Sequence, residues 1–285
     1  MGNKIGIGII TCNRPDFFKK CLESIPIDRI DHMVIVNDGD SGLDITPVND
    51  MISKVNVIEH ETNQGVGKSK NDALRYLLSK NCDYMFILED DIVILKKNVF
   101  NKYIDAHKAS GIHHFNYGPG SPFNRKQTVK SCDLHNRHLL DQHTDPNPKM
   151  IIDYNKHTKV SLFEHTVAMF SFYTNKVLNE VGLIDEDYYN AWEHVDHTYR
   201  IINMGYHPPF WYFADIYNSH KYVSELPDAI NSSSIACNSE QWEKNVLSGR
   251  EIYKKKHGHY PNQVKMVDKD SVVKDLKIMK GMISN

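Results

Sequence analysis

The sequence predicts an α/β protein whose mainly parallel, twisted sheet is flanked by helices. Short apolar runs of strand length alternate with amphipathic helical segments over the first third of the 285 residues. This alternation is typical of βαβ units, in which a helix connects two parallel strands. The apolar runs Met85–Leu88 and Ile92–Leu95 enclose three acidic residues, a pattern that indicates a buried strand ending in carboxylates.

The elements follow in order from hydrophobic periodicity and from local start signals. A helix is expected to begin near Pro15, because proline is common in the first helical turn. A helix near Gly67 has its apolar residues at helical spacing. The predicted elements are a strand over Lys4–Ile10, the helix from Pro15, strands over His32–Val36 and Val55–Ile58, a helix over Gly67–Leu78 and the acidic strand from Tyr84.

Composition and charge exclude several classes of protein. The formal net charge of −2 gives no overall attraction to nucleic acid or to an anionic membrane. No apolar run approaches the ~20 residues that span a bilayer, and the apolar stretch Ile5–Ile10 is too short for a secretory signal. The five cysteines are scattered and contain no CxxC pair, which fits a reducing compartment. We therefore expect a cytoplasmic protein, or one held at the inner face of a membrane.

Two nucleotide-binding motifs are present only in part. The segment Gly65–Ser69 reads GVGKS, but Thr62 occupies the position at which a phosphate-binding P-loop requires its first glycine. Gly6 and Gly8 form a GxG, but Thr11 stands where the dinucleotide fingerprint requires a third glycine. We therefore predict neither a P-loop nor a dinucleotide site.

The acidic triplet Glu89-Asp90-Asp91 is the clearest candidate for chemistry. Unpaired charge is costly away from water, and a divalent cation such as Mg²⁺ or Mn²⁺ offsets that cost because carboxylate oxygens suit hard metals. Ligands of open α/β sheets bind at the carboxyl ends of the strands. The alternative is a strand that ends in a solvated acidic turn, and this remains open from the triplet alone.

A set of motifs at predicted strand ends resembles the GT-A nucleotide-sugar glycosyltransferases, particularly the large family 2. The resemblance covers about residues 4 to 220. It implies a GT-A (Rossmann-like) domain over 1–222, with a nucleotide-sugar-binding half over 1–105 and an acceptor-side half over 106–222, and a helical extension over 223–285. The motifs that carry it, in order, are ITCNRP, VIVNDGDS, NQGVGKSKNDAL, ILEDDI, FSFYTNKVLNEVGLIDEDYY and AWEHVDHTYRIINMGYH.

The resemblance also assigns donor-binding residues. Thr11 and Asp38 are expected to bind the base and ribose of the donor, usually a uridine nucleotide, although Thr11 alone equally fits a strand-end cap. Lys70 and Asn71 are as plausible on an exposed helix face as in the site. The remaining residues expected to approach the nucleotide are Asn13, Arg14, Asn63, Gly65, Lys68, Glu89 and Asp90.

The same resemblance assigns metal ligands. Asp91 is expected to bind Mn²⁺ or Mg²⁺, because the family's DxD element coordinates through its last carboxylate. Glu89 replaces the usual first Asp and is expected near the ribose or a metal-bound water. His220 follows the acceptor-side segment, where GT-A enzymes often place a late histidine ligand, and a surface histidine is the alternative.

The base that deprotonates the acceptor hydroxyl is open among three residues. The family's Glu-Asp element reads Glu193-His194 here, so the motif favours His194, and imidazole is a competent base near neutral pH. On a helix beginning near Trp192, Glu193 and Asp196 share a face while His194 points elsewhere, which favours the carboxylates. In a third alternative, all three only cap the helix and form ion pairs, for instance with Arg200. The family resemblance implies inversion at the anomeric carbon.

Two basic regions, residues 107–160 and the C-terminal tail, indicate what kind of acceptor the protein uses. Residues 107–160 contain eight Lys or Arg against four Asp and no Glu, and we expect a loop-rich insert over the site, with a solvated excursion as the alternative. The basic tail predicts an amphipathic helix that contacts a partner subunit. Together these regions favour an anionic acceptor: a glycan, a lipid-linked diphosphate or nucleic acid. Glycosylation of a nucleic-acid base or a protein, a sugar nucleotidylyltransferase and a non-catalytic sugar- or nucleotide-binding module are the competing functions.

Overall fold

The computed structural model describes residues 3–127, 144–229, 239–264 and 267–282. These residues form eleven strands and seven α-helices. The strands are β1 (Ile5–Thr11), β2 (His32–Asn37), β3 (Val55–Glu59), β4 (Tyr84–Glu89), β5 (Ile92–Ile94), β6 (His114–Asn116), β7 (Met150–Asn155), β8 (Thr158–Phe163), β9 (Phe170–Thr174), β10 (Phe213–Ile216) and β11 (Val223–Glu225). The helices are α1 (Pro15–Ser24), α2 (Val66–Ser79), α3 (Val99–Ser110), α4 (Asn175–Val181), α5 (Glu193–Asn203), α6 (Ser239–His257) and α7 (Lys269–Met279).

A six-stranded sheet in the order β3-β2-β1-β4-β9-β6 forms the centre of the fold. The first four strands are parallel, and β9 and β6 are antiparallel to their neighbours. The predicted α/β class and its mainly parallel sheet are therefore confirmed. Because β1 and β4 are central and adjacent, the residues that follow them meet at one edge of the sheet, where ligands of such folds bind.

The two glycines of β1 allow α2 to pack closely on the sheet. A Cβ on Gly6 would lie 2.7 Å from Leu77 Cδ2, and one on Gly8 would lie 2.7 Å from Ala73 Cβ. The GxG of this strand thus serves packing, and it gives a structural reason for glycines that do not belong to a dinucleotide fingerprint.

The segment 107–160 contains more regular structure than the sequence indicated. It holds the end of α3, β6, β7 and the start of β8, and β8 pairs with both β7 and β10 in an antiparallel sheet. Partly buried and exposed residues alternate along β7, which is the pattern of a strand. The turn residues on either side of this segment made it resemble a loop in the sequence. The central part of the predicted insert, 128–143, lies outside the described residues.

The tail packs on its own chain. Val272 and Leu276 of α7 belong to the main hydrophobic core, and Tyr253 of α6 is buried in a smaller cluster beside α5. The strand β11, which precedes α6 in the chain, pairs with β5, the strand that directly follows the acidic triplet. Among the helices of the described ranges, none is both long and apolar enough to cross a bilayer.

Candidate active site

The carboxyl ends of β1 and β4 are joined through Asp90. The Thr11 hydroxyl donates to Asp90 Oδ2 at 2.7 Å, and Arg14 forms an ion pair with the other oxygen. Burial raises the pKa of the Asp90 carboxyl to about 6, against the opposing effect of the Arg14 guanidinium. Thr11 and Asp90 therefore hold the ends of β1 and β4 together, and this contact agrees with the strand-end alternative for Thr11.

Asp91 is the carboxylate with an unsatisfied oxygen. It is buried, its Oδ2 lies 3.3 Å from Arg14 Nη1, and its Oδ1 makes no hydrogen bond to any described residue. Burial and the neighbouring charge of Glu89 raise its pKa well above the usual range. A divalent cation would neutralise the charge that Arg14 leaves in this group of carboxylates and would give Oδ1 a partner.

A second charged cluster lies beside the triplet, around Lys70. Its Nζ lies 2.8 Å from Glu89 Oε1 and 3.6 Å from Glu193 Oε1. It also donates to the Ala168 carbonyl at 3.2 Å. Burial disfavours this cation, but the charges of Glu89 and Glu193 outweigh burial and raise its pKa. The alternative of an exposed helix face for Lys70 is wrong, because the side chain lies on the sheet-facing stripe of α2.

The predicted base residues divide between two environments. Glu193 is buried and its Oε1 lies 3.1 Å from Nδ1 of His194. Burial raises the pKa of Glu193, but His194 and Lys70 outweigh that effect and lower it to about 2. The His194 side chain is partly exposed, and its Nε2 makes no hydrogen bond within the described part of the chain.

Asp196 points away from this cluster. It accepts hydrogen bonds from the Tyr188 hydroxyl at 3.1 Å and Arg200 Nε at 2.9 Å, and it contacts Nε2 of His257 on α6 at 2.7 Å. Glu193 and Asp196 therefore lie in different environments, although their helical spacing had indicated one shared face. The pairing of Asp196 with Arg200 matches the structural alternative for this residue.

Asp38 organises the loop that precedes α2. Its two carboxylate oxygens accept hydrogen bonds from the backbone N–H groups of Gln64 at 2.7 Å and Gly65 at 2.9 Å. Gly65 has a φ of 88°, and a Cβ there would lie 2.7 Å from the Tyr189 carbonyl oxygen. Glycine is thus required at this position for both conformation and space. Asn63 donates to the Asp38 carbonyl and accepts from the Tyr189 hydroxyl at 2.6 Å.

Lys68 is engaged with protein groups. It forms an ion pair with Asp72 one turn further along α2. Asp72 also contacts His60 Nε2 at 2.9 Å, and His60 Nδ1 contacts Asp38 at 2.7 Å. Lys68, which was expected to approach the nucleotide, is therefore the outer end of a network that holds Asp38.

A cavity of about 480 Å³ opens beside these loops. It lies at the ends of β1, β2 and β3, and residues that precede α5 together with the first turns of α6 complete its wall. Its volume is within the range of small-molecule sites. The lining residues are Cys12, Asn13, Asp38, Gly39, Asp40, Asn63, Tyr189, Asn190, Gln241 and Asn245.

His220 lies in a short 3-10 helix before β11. Its Nδ1 is buried without a hydrogen-bond partner in the described ranges. Burial lowers its pKa, and charges of Lys221, Arg125 and Asp145 act on it. No group of three or more His, Cys, Asp or Glu side chains arranged to hold a metal occurs among the described residues.

The structure thus gathers Thr11, Arg14, Asp90 and Asp91 at one point, and Asp38, Asn63 and Gly65 beside the cavity. The sequence left Lys70 open between the site and an exposed helix face, and it did not indicate Tyr189 or the first turns of α6. A signal existed for Lys70, which falls on the same helical stripe as Leu74 and Leu77. No sequence signal could place α6, because its contact depends on a chain reversal over many residues.

A mainly parallel sheet with an acidic triplet at the end of β4, beside a cavity of small-molecule size, is the arrangement expected of the GT-A class. The family model described as glycosyl transferase family 2 matches residues 7–178, and the chain belongs to that family. It is a glycosyltransferase that uses a nucleotide sugar, as the sequence predicted.

Individual relatives are distant. An uncharacterized glycosyltransferase, R363, of Acanthamoeba polyphaga mimivirus is 25% identical over 262 residues, which is 88% of this chain and 93% of that protein. The mannosyltransferase PcManGT of Pyrobaculum calidifontis, solved with GDP-Man and Mn²⁺, is similar with a TM-score of 0.51 at 9% identity over 97% of this chain and 69% of that one. Residues 1–349 of S. aureus TarS give a TM-score of 0.48 at 14% identity over 97% and 80%.

Proposed function

We propose that the chain transfers a sugar from a nucleoside-diphosphate sugar, a UDP-sugar by family resemblance, to an acceptor hydroxyl with the help of Mn²⁺ or Mg²⁺. The observation that carries the proposal is the buried, unpartnered Oδ1 of Asp91 at the carboxyl end of β4. A divalent cation bound at this point would give the free oxygen of this buried carboxylate a partner, and buried groups of this kind are common at functional sites.

Asp91 is the residue that would hold the metal, and Glu89, at the end of β4, would bind a metal-bound water or the ribose. One or two carboxylates suit Mg²⁺ or Mn²⁺, which take the remaining oxygens from phosphates and water. When bound, the cation offsets the negative charge of the leaving diphosphate. His220 remains a proposed further ligand.

The side chain of Lys70 supplies a second positive charge beside the proposed metal site. It is held between Glu89 and Glu193 and stays protonated at physiological pH, because both carboxylates raise its pKa. A fixed cation beside the triplet stabilises negative charge on a leaving diphosphate without reorganisation. It also keeps Glu193 ionised.

His194 is the base of the proposed reaction. Glu193 holds Nδ1, which leaves Nε2 to take the proton of the acceptor hydroxyl. Glu193 itself is a weak base, because its pKa is lowered to about 2, and Asp196 is saturated by three partners. As the proton moves to Nε2, the hydroxyl oxygen bonds to the anomeric carbon and the nucleoside diphosphate leaves. A single displacement of this kind inverts the anomeric configuration.

The acceptor is proposed to be an anionic glycan or another anionic polymer, with nucleic acid as an alternative. Support comes from the basic composition of residues 107–160 and of the tail. A homo-oligomer is a further proposal that rests on the tail sequence alone. A reducing, cytoplasmic setting or the inner face of a membrane agrees with the free thiols of Cys12, Cys21 and Cys82.

A hydrolysis and binding panel tests the function. UDP-, GDP-, CDP- and TDP-sugars are titrated by thermal shift with Mn²⁺ and with EDTA, and slow hydrolysis of each is followed. At about 100 times its dissociation constant, the true donor raises stability by ~2.7 kcal/mol, and this gain disappears with EDTA. If no nucleotide sugar shifts the transition or is hydrolysed, the proposal is wrong. If donor binding is equal in EDTA, the metal is not required.

A further inference from the structure

The strand β5 leads into a surface that the proposed transfer reaction does not use. Leu95 follows β5 and is 53% exposed, and the next two residues, Lys96 and Lys97, are exposed as well. The Leu95 N–H donates to the Tyr222 carbonyl at 2.8 Å, and the Lys96 ammonium lies 5.1 Å from the centre of the Tyr222 ring. An aliphatic side chain and two lysines are therefore presented together beside an aromatic ring.

The surface continues along the segment between β10 and β11. Tyr217 is 40% exposed, and its N–H donates to the Lys159 carbonyl at 3.1 Å. The Lys159 ammonium lies 5.8 Å from the centre of the Tyr217 ring. The chain then turns, and the N–H of exposed Lys221 donates to the Asn218 carbonyl at 2.9 Å. We call this surface the β5 patch, and it consists of Leu95, Lys96, Lys97, Lys159, Tyr217, Lys221 and Tyr222.

The β5 patch carries four lysines and no acidic residue. At its border, Asp153 Oδ1 lies 2.6 Å from Lys159 Nζ. Exposed Glu23 is next to Ser24, whose hydroxyl accepts from the Ile94 N–H at 2.9 Å. Four lysines against these two carboxylates leave an excess of positive charge, although the whole chain has a formal net charge of −2. The patch therefore attracts anionic surfaces in a way that the overall charge does not indicate.

The combination of side chains favours a membrane surface over an anionic polymer. Lysines are attracted to anionic lipid headgroups, and their aliphatic stems cover apolar surface while the ammonium groups stay in water. Tyrosine is common at the boundary between headgroups and hydrocarbon. An exposed leucine gains from burial at this boundary, whereas the charged groups of a polymer offer it nothing. Leu95 is therefore the residue that distinguishes the two partners.

The position of the β5 patch relates it to the proposed active site. The strand β5 begins directly after Asp91, and Leu95 is four residues further along the chain. At ~3.4 Å per residue, these two residues are at most ~14 Å apart. The patch shares no residue with the cavity beside Asp38, which we call the donor cavity. A chain bound through the patch would therefore hold Asp91 close to the bilayer surface without using the donor cavity.

We propose that the β5 patch binds the surface of an anionic lipid bilayer reversibly, with the Leu95 side chain in the apolar boundary and the lysines among the headgroups. This binding is a property separate from the transfer reaction. One consequence rests on the proposed function: acceptors anchored in the same bilayer are brought within reach of the active site.

Cosedimentation of the full chain with vesicles tests this binding. Vesicles of phosphatidylcholine alone are compared with vesicles that contain about 30 mol% phosphatidylglycerol, at about 0.1 M salt. We expect the wild type to prefer the anionic vesicles by at least about tenfold. Lys96→Gln combined with Lys97→Gln is expected to lower the affinity for them about 10- to 30-fold, because each lysine near such a surface contributes about fivefold. Leu95→Ser is expected to lower it about tenfold, because part of the leucine is buried at the boundary.

The helix α6 provides matched control variants. Leu247 is 59% exposed, and Lys254 and Lys255 are exposed neighbours in the sequence. Leu247→Ser, and Lys254→Gln combined with Lys255→Gln, exchange the same residue types, and both are expected to bind vesicles like the wild type. Circular dichroism and thermal unfolding confirm that each variant is folded. If the α6 variants lose as much affinity as the variants of the β5 patch, the inference is wrong.

An anionic polymer is the other occupant that a basic surface suits. A labelled single-stranded oligonucleotide of about 20 nucleotides is therefore titrated into the same variants. A wild type that binds this oligonucleotide through Lys96 and Lys97 but does not bind anionic vesicles overturns the inference. Unchanged vesicle affinity in Leu95→Ser also overturns it, because attraction by charge alone does not require the leucine.

Donor binding is measured separately, by the thermal shift of the nucleotide sugars. A wild type that shows this shift and does not bind anionic vesicles contradicts the membrane site and leaves the proposed function intact. Vesicle binding that depends on the β5 patch, in a chain that no nucleotide sugar stabilises, supports the membrane site and contradicts the proposed function.

Discussion

At the scale of single residues, Asp91 is expected to favour metal binding and to lower the stability of the metal-free fold. Its carboxylate is buried beside Glu89 and Asp90, and one of its oxygens lacks a partner among the described residues. The negative charge of this side chain therefore lowers the stability of the fold. Strained or uncompensated groups of this kind persist where function requires them. The two consequences can be separated by one substitution.

Asp91→Asn is expected to raise the metal-free free energy of unfolding by about 1–3 kcal/mol at neutral pH, because it removes a buried charge that lies beside two other carboxylates and shares Arg14 with Asp90. The same variant loses metal-dependent nucleotide binding and transfer. Denaturant unfolding and nucleotide titration measure both effects. Asp105→Asn, an exposed carboxylate on α3, is the control and changes neither. A variant that is less stable and still active would contradict both assignments.

The base assignment makes a second prediction at this scale. His194→Ala is expected to lower kcat about 10²- to 10⁴-fold with little change in stability, because the side chain is partly exposed. His194→Asp, which places another proton acceptor at this position, restores part of the rate. The exposed His157, in the turn between β7 and β8, provides the control His157→Ala. Wild-type kcat in His194→Ala would exclude this residue as the base.

At the scale of elements, α6 is fixed to the segment that leads into α5. The Trp192 indole donates to the Val246 carbonyl at 3.1 Å, and His257 contacts Asp196. A Cβ on Gly249 would lie 2.8 Å from the Ala191 carbonyl oxygen. The helix that completes the donor cavity therefore also supports the backbone that carries Glu193 and His194.

Gly249→Val is expected to displace α6 and to raise the dissociation constant for the donor nucleotide by about tenfold or more, since the helix side chains leave the cavity. The backbone clash also lowers stability by about 1–3 kcal/mol. Calorimetry and denaturant unfolding measure the two effects. Gly258→Val tests the same exchange at a glycine whose Cβ would meet no atom within 4 Å, although its φ of 79° adds local strain. Nucleotide affinity should change for Gly249 alone.

The sequence predicted those elements whose signal is local. The strands β1 to β4 and helices α1 and α2 agree with the prediction within one or two residues, because their periodicity and start signals lie in the elements themselves. The cluster of Lys70 with Glu193 could not be placed, because a contact over more than a hundred residues depends on topology. The same reason hid the contribution of Asn245 to the cavity. The pairing of Asp196 with His257 was likewise beyond any local pattern.

At the scale of the whole molecule, three buried histidines make the fold sensitive to acid. Burial lowers the pKa of His197 to about 3 and of His207 to about 4, and that of His114 well below its usual range. The unfolded chain takes up these protons near the ordinary value of 6.5, whereas the native protein does not. Their stabilisation is therefore complete above pH 6.5 and is lost as the pH falls toward 3.

His197→Gln is expected to flatten this dependence. For each histidine that stays neutral in the fold, the free energy of unfolding falls by up to ~1.4 kcal/mol per pH unit as the pH is lowered from 6 to 4. The difference in unfolding free energy between wild type and variant should change by that slope, and other titrating groups cancel in it. The exposed His157→Gln gives the reference slope. Parallel stability curves for wild type and His197→Gln would contradict the assignment.

The order of the chain gives the contacts of the triplet a consequence for synthesis. Arg14 donates to the Ala229 carbonyl at 3.4 Å, and the Leu226 N–H donates to the Asp91 carbonyl at 2.7 Å. Contacts of such long sequence separation form late, and domains emerge from the ribosome amino terminus first. A nascent chain therefore exposes the carboxylates of the triplet before residues 226–229, which contact Arg14 and Asp91 in the folded protein, have been synthesised.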